Sequence, residues 1–149
     1  MANTFRLIRG EPRTIALPKY SADAIEIGDL LYWDATTNAV RNAVTVSGGD
    51  YATKKATFAA AFVGVALSAH DAGSTGNVLV ATDGDFQFDC PSGAKYDVTD
   101  GVAIGNGTAV ANQTVVKTAT AGEIIGRVLA LKASAGTTVQ VRIKSKLMS

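Results

Sequence analysis

The chain of 149 residues predicts an all-β fold, a small barrel or sandwich with one short helix and an extended N-terminal arm. Three observations carry this. Short apolar alternations recur along the chain and are separated by glycine, aspartate and asparagine turn signals, the spacing of a small barrel or sandwich. Composition is 47% hydrophobic and 18% charged, which suits one domain with a buried core. Only the stretch 51–61, YATKKATFAAA, has the alanine content and apolar spacing of a helix.

Residues 1–19 read as the arm and 20–149 as a single β-rich body. In the arm Phe5, Leu7 and Ile8 interleave with arginines, and Pro12 and Pro18 prevent a continuous helix. A short strand fits at 4–8 or 13–17. Segment 25–34, IEIGDLLYWD, reads as a turn at Gly28-Asp29 feeding a strand at 30–33 that returns over 39–46 as a hairpin. Tyr32 and Trp33 are its anchors in a core or subunit interface. Asp50 caps the helix Tyr51–Ala61. Tyr51, Phe58 and Phe62 form its apolar stripe, and Lys54 and Lys55 lie toward solvent.

The stretch 62–81, FVGVALSAHDAGSTGNVLVA, is the central packing unit. Its first strand is apolar on both faces and therefore covered on both. Gly64 is expected to let a bulky neighbour or the helix approach. Segments 77–82 and 85–90 read as a hairpin across Asp83-Gly84. Phe86, Phe88 and Cys90 point inward, and Asp85, Gln87 and Asp89 outward. YDVTDGVAI at 96–104 repeats the acidic turn and apolar strand of IEIGDLLYW. Short strands are expected at 108–111 and 113–118. The closing stretch 124–143, IIGRVLALKASAGTTVQVRI, echoes 62–81, with Gly126 matching Gly64 and Leu129 matching Leu67. In it Val139, Val141 and Ile143 face in and Gln140, Arg142 and Lys144 face out. Arg127 needs a carboxylate or carbonyl partner if it is buried. The chain thus reads as two loosely similar halves, only the first carrying a helix.

Charge is uneven. Residues 1–20 sum to +3, the last ten to +3, and 21–139 to −5, for a net +1. Basic ends on an acidic body suggest self-association or docking on an acidic surface. One cysteine, Cys90, excludes an internal disulfide. No signal peptide core and no membrane-length apolar run occur, so synthesis in the cytoplasm and no membrane partner are expected.

No catalytic constellation emerges. Ser68, His70 and Asp71 invite a triad reading, but neighbours at a strand end point to different sides. A hydrolase would need His70, the only histidine, as its base. Asp83, Asp85 and Asp89 lack calcium-loop spacing and a bidentate glutamate. One Cys and one His build no structural zinc site, and no phosphate-binding glycine pattern appears. No cofactor and no metal are expected. Nucleic acid would want a basic face with interleaved aromatics, whereas the body is acidic.

The arm before IEIGDLLYWDATTNAV, the helix running into FVGVALSA, the VATDGDFQFDC segment and the closing GEIIGRVLALKASAGTTVQVRI resemble the decoration (cement) proteins of tailed-bacteriophage heads. The resemblance implies a non-enzymatic virion protein on the outer capsid surface, bound to the major capsid protein, stabilising the expanded head and often homotrimeric. It implies an N-terminal arm that adds a strand to a capsid-protein sheet and clamps neighbours. The residues expected to bind capsid or subunit are Thr4, Phe5, Arg6, Leu7, Ile8, Arg9, Arg13 and Lys19. The alternative is a virion-surface receptor- or carbohydrate-binding module, which would display aromatic side chains in a groove.

Overall fold

The computed structural model describes residues 6–9 and 12–148. Eleven strands and one α-helix follow in order: β1 Arg6–Arg9, β2 Thr14–Pro18, β3 Leu30–Asp34, β4 Ala39–Asn42, α1 Tyr51–Ala61, β5 Phe62–Ala66, β6 Asn77–Ala81, β7 Asp83–Asp89, β8 Gly101–Ile104, β9 Val115–Thr118, β10 Gly126–Val128 and β11 Thr138–Lys144. They form a sheet ordered β2-β6-β5-β3-β4 and another ordered β1-β7-β11-β10-β8-β9. Apart from β1, the two orders are the same pattern repeated: β2 to β6 in the first unit correspond to β7 to β11 in the second.

The correspondence holds bond by bond. The Glu26 amide donates to the Asp29 carboxylate at 3.0 Å, and the Asp97 amide to that of Asp100 at 2.8 Å. Positive φ falls at Gly28 (97°) and at Thr99 (78°), the same place in the two turns. Ile25 bridges His70, and Tyr96 bridges Lys132. Leu31 lies opposite Gly64 as Val102 lies opposite Gly126. Ala16 lies opposite Leu79 as Gln87 lies opposite Gln140. The expected two halves are therefore a structural duplication, with α1 inserted only in the first.

Each unit encloses its own apolar filling. Leu17, Ile25, Leu31, Val40, Val63, Val78 and Val80 pack together in the first unit. Phe88, Tyr96, Val102, Val115, Ile125, Val139 and Val141 hold the matching positions in the second, within a larger cluster that also contains Phe58, Phe62 and Val65. The sheets curl enough for Lys19 to bridge Val40 and Asp89 to bridge Thr114, both in parallel. Burying these aliphatic and aromatic groups is the main favourable term in folding.

The helix forms as its sequence predicts. The Asp50 carboxylate accepts the Thr53 amide at 2.7 Å, capping one free donor of the first turn. Phe58 is fully buried and meets Tyr32 edge-on, with centroids 5.8 Å apart. Lys55 departs from the expected solvent face: its ammonium lies 3.1 Å from the Glu123 carboxylate of the second unit. The strand expected at 39–46 ends at Asn42, followed by a 3-10 turn over Ala43–Thr45. The strand expected at 108–111 is a turn, because the Asn106 carboxamide oxygen accepts the Thr108 and Ala109 amides at 3.0 and 2.9 Å and so competes with any ladder.

The hairpin expected across Asp83-Gly84 does not form. Only Thr82 separates β6 from β7, too little for a reversal, so the chain bends at Thr82 and passes from one sheet into the other. Thr82 donates its amide to the Arg13 carbonyl at 2.9 Å and accepts the Ser145 amide at 2.9 Å. Gly84 supplies φ 129° at the bend. β1 and β2 run antiparallel to β7 and β6 on the two sides of this corner, as strands that switch sheets do.

The two glycines of the repeated motif share one function. A Cβ on Gly64 (φ +146°) would stand 2.0 Å from the Ala81 carbonyl oxygen, and one on Gly126 would stand 2.7 Å from that of Arg142. The close neighbour is the next strand, through its backbone and through a valine side chain as well, Val80 at 2.9 Å from the Gly64 position and Val141 at 2.6 Å from that of Gly126; the helix is not among the nearest atoms. Gly64→Ala and Gly126→Ala are each expected to cost about 3 kcal/mol or more in urea denaturation. Gly49→Ala and Gly122→Ala, with nothing within 4 Å of the new methyl, should stay within about 0.5 kcal/mol.

Loop 105–114 of the second unit clasps the first. The Leu30 amide donates to the Asn112 carbonyl at 2.8 Å. The Gln113 carboxamide donates to Asp29 at 2.9 Å. Asp29 is 2% exposed, and desolvation raises its pKa above the usual carboxylate value against the pull of its hydrogen bonds to Glu26 and Gln113. A raised folded-state pKa gives stability that is full below the unfolded value and lost as pH rises through the folded one. The stability of Asp29→Asn relative to the parent should therefore rise between pH 4 and pH 7; a flat or falling difference in urea titrations would refute the assignment.

Candidate docking surface

The expected partner-binding residues fall in different places. Thr4 and Phe5 lie outside the described residues. Arg6, Leu7, Ile8 and Arg9 form β1, which pairs antiparallel with β7: Arg6 opposite Gln87, Leu7 opposite Phe86, Arg9 opposite Asp85, with a bulge between Leu7 and Arg9. The strand-adding segment therefore occupies an edge of its own chain's sheet. Arg13 is exposed, and its amide donates to the Asp83 carboxylate at 2.8 Å. Lys19 is 6% exposed, and its ammonium donates to the Tyr20 and Ser21 carbonyls at 2.8 and 3.1 Å.

β1 borders a basic face. Arg9, Asp85, Arg142 and Arg127 succeed one another across β1, β7, β11 and β10. The Asp85 side chain, only 6% exposed, accepts two hydrogen bonds from the Arg142 guanidinium, at 2.8 and 3.1 Å. This bond holds the Arg142 pKa above its ordinary value. The expected outward Asp85 is thus buried beneath an arginine. Arg127 is exposed and donates to the Thr99 carbonyl at 3.3 Å, so its strand needs no buried partner. A cleft of ≈ 340 Å³ runs from Ile124 and Arg127 past Arg142 to Lys144 and Lys146. The alternation Arg142–Lys144 signals this face in the sequence. Its juxtaposition with Arg127 depends on strand order, which no local pattern carries.

The residues weighed for catalysis serve local structure. Ser68 Oγ accepts the Leu79 amide at 3.0 Å and lies 3.0 Å from His70 Nε2. His70 exchanges two backbone bonds with Ile25, and Lys132 does the same with Tyr96 in the second unit. The position therefore works as a bridge with either side chain. Burial pushes the Cys90 thiol pKa up, away from nucleophile character. Among the described residues no three His, Cys, Asp or Glu side chains are grouped to hold a metal ion, and no helix is long and apolar enough to cross a membrane.

Residues 13–82 match the family model described as phage cement protein. The matched stretch runs from the foot of β2 to the corner at Thr82, so it coincides with the first structural unit. The crystal structure of the head fiber gp8.5 N base of bacteriophage phi29 has the same fold at TM-score 0.50 and 17% identity, covering 92% of this chain and 100% of that one. No curated protein matches the chain.

Burial separates two of the expected binding residues by experiment. Lys19→Ala removes a buried side chain and the ammonium that bonds the part-buried Tyr20 and Ser21 carbonyls, and should cost about 1–3 kcal/mol in thermal or urea denaturation. Arg13→Ala should stay within about 0.5 kcal/mol; the reverse ranking would contradict the described geometry.

Proposed function

We propose that this chain, whose residues 13–82 match the phage cement protein model, is a structural protein of a phage head that binds the outer surface of the major capsid protein shell and stabilises the expanded head. The observation that carries the reading is the match of a whole structural unit, β2 to β6, to that family. It acts without catalysis. Its place is the virion, after synthesis in the host cytoplasm.

The physical logic favours many small clamps. A shell under internal pressure is held by repeated contacts, each of ordinary interface size, and symmetric display multiplies a weak contact by avidity. In this reading copies self-associate as a homotrimer and the N-terminal segment meets the shell. Thr4, Phe5 and the β1 residues Arg6 to Arg9 supply strand-forming and basic groups, Arg13 adds an exposed guanidinium, and Lys19 braces the base of β2 from within. Arginine suits capsid carboxylates through paired hydrogen bonds. The alternative of a carbohydrate-binding module asks for displayed aromatics. Among the described residues, the large apolar side chains most exposed are Ile15, Ile27, Val44, Leu79, Val98, Leu131 and Leu147, none of them aromatic.

The test is co-sedimentation with expanded heads. Removal of residues 2–9 spares β2, which belongs to the first sheet, and should abolish binding while the far-ultraviolet spectrum keeps its strand signature. Undiminished binding by this truncation would overturn the role of the arm.

A further inference from the structure

The internal duplication identifies an edge that lacks its strand. In the second unit β7 pairs with β11 on one side and with β1 on the other. Its counterpart β2 pairs with β6 on one side; on the other, Lys19 bridges Val40 of β4 just past Pro18, and along residues 14–16 the outer edge carries no strand among the described residues. We propose that the outer edge of β2 docks the open edge of β1 from a second copy of this chain, joining the first sheet of one copy to the second sheet of the next. The proposal rests on the reading that copies self-associate, and names the edges through which they do so.

The backbone geometry supports the fit. Lys19 donates to the Gly76 carbonyl, and Thr82 donates to the Arg13 carbonyl. In this register Arg13, Ile15, Leu17 and Lys19 bond toward β6, and alternation turns the polar groups of Thr14, Ala16 and Pro18 outward. Pro18 has no amide to offer and blunts one end of the edge. Thr14 and Ala16 keep theirs. They correspond to Asp85 and Gln87, the two residues directly opposite Arg9 and Arg6 of β1. The edge that β1 engages in its own chain is therefore reproduced on β2.

Burial marks the same place. Ile15 is 40% exposed, whereas its counterpart Phe86 is fully buried. An added strand flanks Ile15 and satisfies the outward amides at once. β1 is the occupant: its strand geometry already pairs with the equivalent region of β7, and among the described residues it pairs on one side only, which leaves its other edge for a second copy. Each copy then carries one donor edge and one acceptor edge, a heterologous contact that closes into a ring when the rotation permits.

The experiment uses the full chain in light scattering, without heads. Ala16→Pro removes an outward amide of β2 while keeping every bond to β6, and Leu7→Pro does the same for the open side of β1. Each variant alone should fall to monomer mass with a native spectrum where the parent is oligomeric. A 1:1 mixture should form a heterodimer, because the intact β1 of one variant meets the intact β2 of the other. Thr14→Pro carries the same test if Ala16→Pro fails to fold. A monomeric parent, folded variants that keep the parent's mass, or a mixture that stays monomeric would overturn the proposal. Failure to bind heads with self-association intact would count against the capsid reading and leave this one standing.

Discussion

The bend at Thr82 is the constraint on which the structure depends. One continuous stretch serves as β6 in one sheet and β7 in the other, and the amide and carbonyl of Thr82 are tied to Arg13 and Ser145. The N-terminal and C-terminal parts of the chain are thereby fastened to the same corner. Each sheet can then curl around its own filling while the loop from Gly105 to Thr114 and the helix join the two. Satisfying the backbone groups at this crossing matters because an unpaired buried amide or carbonyl costs as much as several favourable contacts return.

Much of the architecture was legible because it is local. The helix bounds, the inward set Phe86, Phe88, Val139, Val141 and Ile143, and the doubly covered β5 all follow from periodicity and capping. Asp83-Gly84 misled because aspartate-glycine signals positive φ without saying whether the chain reverses or merely bends. Asp85 misled because its neighbour in space, Arg142, comes from a strand far along the chain. The duplication was faint because only backbone bonds, glycines and burial repeat: His70 is replaced by Lys132 and Gly28 by Thr99 with the hydrogen bonds unchanged. The candidate surface was legible in its charges, while the occupancy of β7 by β1 depends on sheet order.

A protein of this kind works through edges and faces. Its ionisable groups are spent on fastening: Asp29 on the loop of the other unit, Lys55 on Glu123, Lys19 and Lys132 on carbonyls. The exposed side chains of Arg127, Arg142 and Lys144 lie side by side on β10 and β11, two strands in from the edge that β1 occupies. Rigid packing beneath that face keeps its arginines in register, which lowers the ordering cost of binding.

The ribbon across the Thr82 corner also orders events during synthesis. β2 leaves the ribosome long before its partner β6, and Arg6 waits still longer for Gln87. The first unit has all its strands once Ala81 has emerged, whereas β7 lacks its inner neighbour until β11 arrives. Pairings so distant along the chain are slow to form, so β1 spends the longest time as a loose segment. The part of the chain proposed to meet other molecules is the one that waits longest for its own strand partner.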